Sequence, residues 1–489
     1  MAERRKKPID GKRGSVMNLI RKIKHSIVLL LTFSLFFAYV PAALGASAQQ
    51  VEEVRGLLEQ YHLKSPDDSA LADKEIDEMV DSLDDPYTQY FDDQEWKAYS
   101  SELEQTFVGI GIVMMEEKGK IYVEDVIADS PASSVGILAG DLLVAADGKS
   151  FAGKTMADIQ KELRGEEGTV VALTVSRSGK ELKFKITRKQ VHVPVVSTKM
   201  LDQGIGYLAL TSFTSEAGKE VKRELEKLEK NGLASLVLDL RNNGGGYVSA
   251  AQEVAGLFVK EGVLAHMRDR NGHDEPLSIS GTSRPYEVVV LVNGNTASAS
   301  ELLSGALRDY GVGQLVGTKT YGKGVVQSLI PLKSGGVLKV TIQEYYTPKG
   351  KKVDQVGLTP DLTVSGAAEQ LIGAFRLAGG TKLAVSWNKG ILTLNGVRMS
   401  QPDAARKEGN LWYVNLKLGT EIAGAKLTYD AKSRTYTLTK GSQKETIKAT
   451  DSRVKIKDGR TSIDVRLLAK WFKGVTFSAS GETLKLGSR

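Results

Sequence analysis

Between residues 191 and 364, apolar segments of strand length alternate with segments whose apolar residues have helical spacing. This alternation restricts the fold more than any other feature of the sequence. The segments 236–240 and 288–292 are almost entirely apolar, and helical patterns such as 215–232 separate such segments. Strands that are apolar on both faces are typical of a sheet covered by helices. This part of the chain therefore predicts an α/β core with a largely buried sheet.

The rest of the 489-residue chain has a different texture, and a chain of this length predicts three or four domains. An acidic stretch with helical spacing comes first, then short β-branched segments separated by glycine, and short alternating strands follow the core. The predicted fold class is multidomain α+β. The predicted boundaries are 1–48 for a targeting segment, 49–100 for N-terminal helices, 101–190 for a small β-rich domain, 191–365 for the α/β core and 366–489 for a C-terminal β-rich module.

The C-terminal module contains a faint internal repeat. The segments that begin at Tyr413 and Ser462 align with a small gap, and each predicts a strand, a short helix and a hairpin. The pattern resembles the stalk-type or copper-amine-oxidase-N-terminal-like modules of envelope proteins, a family name that does not imply copper. The module has no His–carboxylate cluster for a metal, and we expect it to be a surface adaptor.

The N-terminus has the features of an export signal. Residues 1–25 carry nine Lys and Arg against two Asp and Glu, residues 27–40 are almost wholly apolar, and small residues follow. This order is typical of a signal peptide, with cleavage near 46–48 or 43–45. Extending the apolar run to Leu44 gives about 18 residues, near the lower limit for a membrane span, so an uncleaved anchor is the alternative. Either interpretation predicts that the working part lies outside the cytoplasm.

Charge and cysteine content exclude several classes of function. The net charge of +7 resides in residues 1–25, and the remainder has 57 basic and 57 acidic residues, so we expect no nucleic acid partner. The chain contains no cysteine, which excludes disulfide scaffolds, thiolate nucleophiles and cysteine-ligated metals. Its five histidines form no metal-binding pair, and we expect no metal and no cofactor. His266 with Asp269 and a serine is an open alternative as a triad, although a simple turn explains both residues.

Residues 288–311 join a buried strand to an amphipathic helix through small and hydroxyl residues. Ser298 lies at this junction, where the free N–H groups and positive dipole of a helix N-terminus favour developing negative charge. A hydroxyl at this position is a candidate nucleophile. Ordinary helix capping by Ser and Thr, with Glu301 as a first-turn acid, explains the same residues.

Residues 317–324 resemble a phosphate-binding loop but lack its final Ser or Thr, and the next segment is strand-like, so a nucleotide site is not expected. What remains is Lys323 between two glycines. Most lysines are solvated. A desolvated lysine, however, has a lowered pKa and in its neutral form accepts a proton from a serine hydroxyl. Gln327, four residues later, is placed to hold the amine by a hydrogen bond.

These segments and several others, in a fixed order, resemble the carboxyl-terminal processing peptidases, the serine–lysine endopeptidases of peptidase family S41. The resemblance covers residues 49–364 and identifies the small β-rich domain with a PDZ domain. The motifs that carry it are LDDPY at 83–87, FVGIGI at 107–112, SPA at 130–132, GI at 136–137, GD at 140–141, DG at 147–148, DLRNNGGG at 239–246, YYTPKG at 345–350 and GLTPD at 357–361.

The resemblance implies a role for each candidate residue. In the family, the nucleophile is the middle serine of S-A-S-A-S-E, the base is a lysine 25 residues later and an assisting glutamine follows after four more. Ser298, Lys323 and Gln327 keep this spacing, whereas Ser300 and Lys319 do not. The one departure is Thr296 in place of the usual first serine.

Further site residues are expected from the same resemblance. The oxyanion hole needs two N–H donors, for which we expect Ala299 and Gly245. Gly244 is the neighbouring alternative to Gly245. A plain tight turn without a catalytic role would explain the same glycines. The loop that binds a substrate C-terminus comprises Gly109, Ile110 and Gly111. Core packing also accounts for part of this loop. Arg164 occupies the position of an arginine linked to substrate sensing, although a solvated helix-end arginine is an equal alternative.

We therefore expect an extracytoplasmic serine endopeptidase without cofactor that binds flexible C-termini through its PDZ domain and cleaves peptide bonds through an acyl-enzyme. Its core is expected to resemble the ClpP/crotonase fold. The expected partners are protein or peptide substrates, a membrane if the N-terminal segment is uncleaved, and a second copy in a homodimer. The alternative of another class is a PDZ scaffold that binds protein termini without proteolysis. An acyl-thioester enzyme on the same fold lacks a supporting nucleotide motif.

Overall fold

The computed structural model describes residues 46–117, 119–202 and 204–488. The predicted signal peptide or anchor in residues 1–48 falls almost entirely outside these ranges. In the ranges that are described, no helix has both the length and the apolar character needed to cross a bilayer.

The N-terminal region is helical as predicted, but it also contributes a strand to the core. That strand pairs antiparallel with the core strand Val337–Tyr346, with Tyr90 opposite Leu338. The predicted boundary at residue 100 falls inside the last helix of the region, which begins at an Asp92 capping box. The elements are α1 (Ala48–Tyr61), α2 (Asp68–Leu71), α3 (Ile76–Asp81), β1 (Gln89–Phe91) and α4 (Asp93–Leu103).

The small β-rich domain is built around one twisted sheet in the order β3-β4-β5-β7-β8, with β6 paired to β5 and a separate ladder between β2 and β9. Within the described residues β3 is thus an edge strand, and it follows directly on the Gly109–Gly111 loop. The elements are β2 (Thr106–Gly109), β3 (Ile112–Glu117), β4 (Lys120–Val126), α5 (Pro131–Ser134), β5 (Leu142–Ala146), β6 (Lys149–Ser150), α6 (Met156–Leu163), β7 (Val170–Arg177), β8 (Lys180–Thr187) and β9 (Lys189–His192).

The core contains the predicted buried sheet, in the order β10-β11-β12-β15-β16-β19, parallel except for β10. A second sheet has the order β1-β18-β13-β14, with β17 paired to β18. The elements are β10 (Val196–Met200), β11 (Ile205–Leu210), α7 (Ala217–Lys230), β12 (Ser235–Asp239), α8 (Val248–Gly256), β13 (Glu261–Arg268), β14 (Asp274–Ser280), β15 (Val288–Val292), α9 (Ala299–Asp309), β16 (Gly313–Gly317), β17 (Val325–Pro331), β18 (Val337–Tyr346) and β19 (Leu362–Thr363).

Strand β15 shows why the sheet needs cover on both faces. All five of its residues are buried. Val288, Val290 and Val292 belong to the hydrophobic cluster that includes α7, α8 and α9. Val289 and Leu291, whose side chains point to the opposite face, belong to the cluster that includes α10 (Ala367–Leu377) and the C-terminal strands.

The C-terminal module contains the predicted repeat of a strand, a short helix and a hairpin, once from β24 and once from β29. It is not packed separately from the core, because it shares the second of these hydrophobic clusters with the sheet of the α/β core. From Ala48 onward the chain forms one compact unit. The elements are β20 (Leu383–Asn388), β21 (Ile391–Leu394), β22 (Val397–Ser400), β23 (Ala405–Glu408), β24 (Leu411–Asn415), α11 (Leu416–Ala423), β25 (Lys426–Asp430), β26 (Thr435–Lys440), β27 (Gln443–Lys448), β28 (Val454–Lys457), β29 (Arg460–Asp464), α12 (Val465–Trp471), β30 (Val475–Ser480) and β31 (Thr483–Ser488).

Candidate active site

Ser298 lies at the predicted strand-to-helix junction, immediately before α9. Its backbone has φ 54° and ψ −118°, a conformation that residues other than glycine rarely adopt. Holding a serine there costs about 1–3 kcal/mol, and such strain is common where a nucleophile must project from a sharp turn. The surrounding contacts must therefore fix this residue firmly.

The glycine-rich turn at 240–246 packs directly against this junction. The Thr296 hydroxyl donates to the Leu240 carbonyl at 2.8 Å. The Ala297 N–H and the Ser300 hydroxyl both donate to the Asn243 carbonyl, at 3.1 and 3.0 Å. The hydroxyls of Thr296 and Ser300, which helix capping could also explain, therefore join the glycine-rich turn to the start of α9.

Gly245 is the point of closest approach between the turn and Ser298. A Cβ added to it would lie 2.9 Å from the Ser298 Cβ and 3.0 Å from the Ala299 nitrogen, and its φ is 106°. Only glycine fits both demands. The Ala299 N–H is in the first turn of α9, where no intrahelical acceptor exists. The Gly245 N–H donates to the Asn243 side-chain oxygen at 2.9 Å, whereas the Gly244 N–H has no hydrogen-bond partner among the described residues.

Glu301 connects the two residues expected to react. Its fully buried carboxylate accepts from the backbone N–H of Ser298 at 3.0 Å and of Lys323 at 2.9 Å. It also accepts from the Thr320 hydroxyl at 2.5 Å and the Gly322 N–H at 2.8 Å. Burial raises the pKa of Glu301, and these hydrogen bonds oppose the rise.

Tyr345 forms a second connection between the same two residues. Its buried hydroxyl lies 3.2 Å from the Ser298 carbonyl and 2.9 Å from the Lys323 carbonyl, and shares its hydrogen between them. Burial raises the pKa of this phenol well above its ordinary value, so it remains a donor. The backbones of Ser298 and Lys323 are therefore joined through N–H groups by Glu301 and through carbonyls by Tyr345.

The Lys323 side chain is partly buried, in agreement with a desolvated amine. Its Nζ lies 4.7 Å from the centre of the Tyr87 ring, and within the described part of the chain it makes no direct hydrogen bond to the Ser298 hydroxyl. Desolvation lowers the pKa of Lys323 to about 8; the positive charge of Lys339 also lowers it, and Asp85 opposes both. At pH 7 about a tenth of this amine is therefore neutral, far more than for a lysine of ordinary pKa.

Gln327 is on β17 and pairs across the ladder with Thr341 on β18. Its side-chain Nε2 donates to the Thr341 hydroxyl at 3.3 Å. This contact leaves the amide oxygen of Gln327 as the end available to accept from an amine.

Three residues of this site were not assigned a role from the sequence. The sequence indicates Glu301 only as an acid of the first helical turn, and it contains Tyr345 and Tyr87 only as members of conserved-type motifs. The motifs that contain the two tyrosines indicate that these segments matter, but contacts between residues 22 to 236 positions apart along the chain depend on the fold.

The PDZ residues occupy the loop before the edge strand β3. Gly111 has φ 83°, and a Cβ there would lie 2.2 Å from the Ser130 Cβ, so the loop requires glycine. Ile110 is buried in the domain core, which confirms the packing interpretation for its side chain. The exposed Arg164 caps α6 and has its guanidinium 5.3 Å from the centre of the Phe107 ring, on the strand that ends at Gly109.

Two alternatives from the sequence lose support. The His266 ring contacts Asp274 at 3.2 Å, whereas Asp269 accepts from backbone N–H groups of its own turn, so they form no triad. The segment after Gly324 is strand β17, so the phosphate-loop pattern lacks its helix.

Comparison with known proteins gives the class of this chain. Residues 204–364 match the model of peptidase family S41, and residues 122–177 match a PDZ domain. The chain therefore combines a PDZ domain with an S41 peptidase domain.

Similar proteins narrow the class further. The chain is 35% identical over 323 residues to a "Probable CtpA-like serine protease" of Staphylococcus aureus strain N315, which covers 65% of each chain. It is 34% identical over 328 residues to the protein of the same description from Staphylococcus haemolyticus strain JCSC1435, which covers 66% of each. The chain thus spans slightly less than two thirds of the length of these relatives. Its residues 204–364 are therefore a family S41 peptidase domain, in a chain similar to CtpA-like serine proteases.

Among solved structures, the chain is similar to the photosystem II D1 C-terminal processing protease. The identity is 27% and the TM-score 0.43, over 68% of this chain and 98% of that one.

Proposed function

We propose that this protein is an extracytoplasmic serine endopeptidase that captures substrate C-termini on its PDZ domain and cleaves peptide bonds with a Ser298–Lys323 pair. The observation that carries the proposal is the double connection of Ser298 to Lys323 through Glu301 and Tyr345. An inert scaffold has no need for a strained serine whose backbone is joined to that of a partly buried lysine of lowered pKa.

In the proposed reaction the neutral Lys323 amine swings from the Tyr87 ring to the Ser298 hydroxyl and accepts its proton. The Ser298 oxygen attacks the scissile carbonyl, and the ammonium then donates that proton to the leaving amine. Water hydrolyses the ester, with Lys323 again as the base. The long lysine side chain allows this movement without any change in the backbone that Glu301 and Tyr345 hold.

The proposed oxyanion hole consists of the Ala299 N–H and an N–H from the glycine-rich turn. Gly245 lies closest to Ser298, but its N–H donates to Asn243 in this structure. It serves as a donor only if the peptide plane turns away from Asn243, whereas the Gly244 N–H needs no release. The Gly245 assignment and its Gly244 alternative therefore both stay in the proposal.

Substrate capture is proposed to occur by strand addition at β3. This strand lies at a free edge of the sheet within the described residues, and its Val113 and Met115 are exposed. A peptide strand added there would end at the Gly109–Ile110–Gly111 loop, which would hold its carboxylate. Arg164, stacked near Phe107, is placed to sense the occupied loop.

The location and assembly belong to the same proposal. The basic and apolar N-terminal sequence supports export, followed by release or by retention through one membrane segment. Protein or peptide substrates are the partners that the domain pair favours, and a homodimer is a further expectation.

Incubation of the purified protein with an unfolded substrate, beside Ser298→Ala and Lys323→Ala, tests the proposal. We expect fragments with the wild type only. Ser304→Ala, six residues further along the chain in α9, and Lys319→Ala, an exposed lysine of the loop before Lys323, are matched controls that should remain active. Binding of the substrate C-terminus without cleavage by any variant would instead support the scaffold.

A further inference from the structure

A buried polar network connects the N-terminal region to the active site. Its centre is the Asp85 carboxylate, whose side chain is 7% exposed, beside His62 at 1%. The His62 Nε2 lies 3.1 Å from the carboxylate, and the Thr88 hydroxyl lies 2.6 Å from it. The Tyr87 N–H donates to the other carboxylate oxygen at 3.0 Å.

The direction of each hydrogen bond in this network follows from chemistry. The His62 Nδ1 accepts from the Lys64 N–H at 3.2 Å, so the ring proton is on Nε2 and is donated to Asp85. Burial raises the pKa of Asp85, but the bonds from His62, Thr88 and Thr341 outweigh burial and hold it well below its usual range. Asp85 is therefore an ionised carboxylate that only accepts.

Thr341 connects this network to strand β17. Its hydroxyl accepts from the Gln327 Nε2 at 3.3 Å, and its side chain is among the neighbours that lower the pKa of Asp85. The Gln327 amide is thereby fixed with its nitrogen towards Thr341 and its oxygen left for another donor.

The backbone holds Thr341 in the same place. Its N–H donates to the Thr88 hydroxyl at 3.1 Å, and its carbonyl accepts from the Leu63 N–H at 2.9 Å. Residues of the N-terminal region thus contact Thr341 where it pairs with Gln327, and Asp85 reaches it through the Thr88 hydroxyl. The N-terminal region also supplies Tyr87, whose ring lies against the Lys323 amine.

We propose that Asp85, held by His62, acts through Thr341 to orient the Gln327 amide, so that its oxygen accepts from the Lys323 amine. Asp85 and Thr341 are then positioning residues of the peptidase, and the N-terminal region is a working part of the active site. The inference rests on the proposed function, because it assigns a role in that reaction.

The test uses the full chain and a peptide substrate, with kcat and KM measured for Thr341→Val, Thr341→Ser and Thr420→Val. We expect Thr341→Val to lower kcat about tenfold to a hundredfold, with KM changed less than about threefold. Thr341→Ser, which keeps the hydroxyl, should restore most of the loss. Thr420 is an equally buried threonine, bonded to Leu416 in the C-terminal module, and its valine variant should retain wild-type kcat.

A double-mutant cycle separates positioning from a general structural effect. If Thr341 acts through Gln327, then Thr341→Val should cause no further loss in a Gln327→Ala background. Losses that multiply would contradict the inference, as would a kcat for Thr341→Val within twofold of wild type. Should Thr341→Val fail to fold, Asp85→Asn enters the same cycle, since it removes the carboxylate that holds the Thr88 hydroxyl against the Thr341 N–H, and the same two outcomes decide.

The controls distinguish this inference from the proposed function. If Ser298→Ala and Lys323→Ala are inactive while the Thr341 variants behave as wild type, the inference fails and the peptidase stands. If Ser298→Ala cleaves as fast as the wild type, the proposed function itself fails, and the inference fails with it.

Discussion

Glu301 is the residue on which the arrangement of Ser298 and Lys323 most depends. Its carboxylate faces four donors and no acceptor. Glutamine has the same shape but would turn an NH2 group towards backbone N–H groups. Two donors facing each other in a buried site leave both unpaired, at a cost of about 1–3 kcal/mol each.

We therefore predict that Glu301→Gln lowers kcat/KM at least tenfold and lowers the melting temperature by several degrees. Peptide hydrolysis and thermal unfolding measure the two effects. Ser304→Ala in the same helix, which loses one helical hydrogen bond, is the control. Wild-type kcat/KM in Glu301→Gln would show that the carboxylate does not hold the site.

Lys323 should carry a stability cost along with its function. Its pKa is about 8 in the folded chain, below the ordinary value near 10.5, so protonation is less favourable in the folded state than in the unfolded state. The penalty is fully present below pH 8 and disappears as the pH rises above the unfolded value. We predict that Lys323→Met abolishes cleavage yet raises the melting temperature at pH 7, with the gain shrinking towards pH 10. Equal melting temperatures at pH 7 would contradict the lowered pKa.

Ser298, Lys323 and Gln327 could be selected from the sequence because a fixed spacing distinguishes them from Ser300 and Lys319. The contacts that hold them could not. Glu301 is only three residues from Ser298, but the second half of its bridge depends on a loop 21 and 22 residues away. The hydrogen bond from the Gly245 N–H to the Asn243 side chain likewise depends on a turn geometry that a glycine-rich sequence does not specify.

At the scale of elements, the loop before the edge strand β3 determines how the PDZ domain would receive a peptide. Gly111 and Gly136 both have φ 83°, but only Gly111 faces another residue, Ser130, at a distance that excludes a side chain. Comparing the two glycines therefore separates backbone strain from the shape of the loop.

We predict that Gly111→Ala weakens binding of a peptide with a free C-terminal carboxylate at least tenfold, whereas Gly136→Ala has a much smaller effect. Fluorescence anisotropy with free-acid and amidated peptides measures it, and circular dichroism checks that both variants fold. Equal affinities for the free acid in the two variants would contradict the assignment of the carboxylate loop.

Element types were predicted well where periodicity is strong, as in the buried strand β15, the helix α7 and the repeated strand, helix and hairpin of the C-terminal module. Strand β1 is not predicted by the sequence, because a strand of only three residues is too short to show a periodic pattern. It forms only by pairing with β18, nearly 250 positions later in the chain. That pairing is what brings the N-terminal region to the active site.

At the scale of the whole molecule, one hydrophobic cluster joins the peptidase sheet to the C-terminal module. Val237, Val289, Leu291 and Val316 are at most 2% exposed, and α10 lies over this face. Removal of residues 366–489 would expose it to water.

We predict that a chain ending at Ser365 is recovered mainly as aggregate, and that a chain ending at Gly380, which keeps α10, is more soluble but melts below the full chain. Soluble yield and thermal unfolding of the three lengths provide the comparison. A chain ending at Ser365 with the melting temperature of the full chain would show that the module is independent.

Charge is distributed unevenly along the chain, although the total beyond residue 25 is zero. Residues 366–489 contain 22 Lys and Arg against 10 Asp and Glu, a net charge of +12, and residues 26–365 carry the compensating −12. A total near zero was therefore a poor guide to the charge of each part, and the expectation of no nucleic acid partner stays a prediction.

The proton transfer from Ser298 to Lys323 is tested most directly by covalent labelling with a serine-reactive fluorophosphonate, followed by peptide mass spectrometry across a pH series. We predict modification at Ser298 alone, at a rate that rises with a midpoint near pH 8 and is lost in Lys323→Met. Labelling at another serine, or a rate at Ser298 unchanged in Lys323→Met, would contradict it.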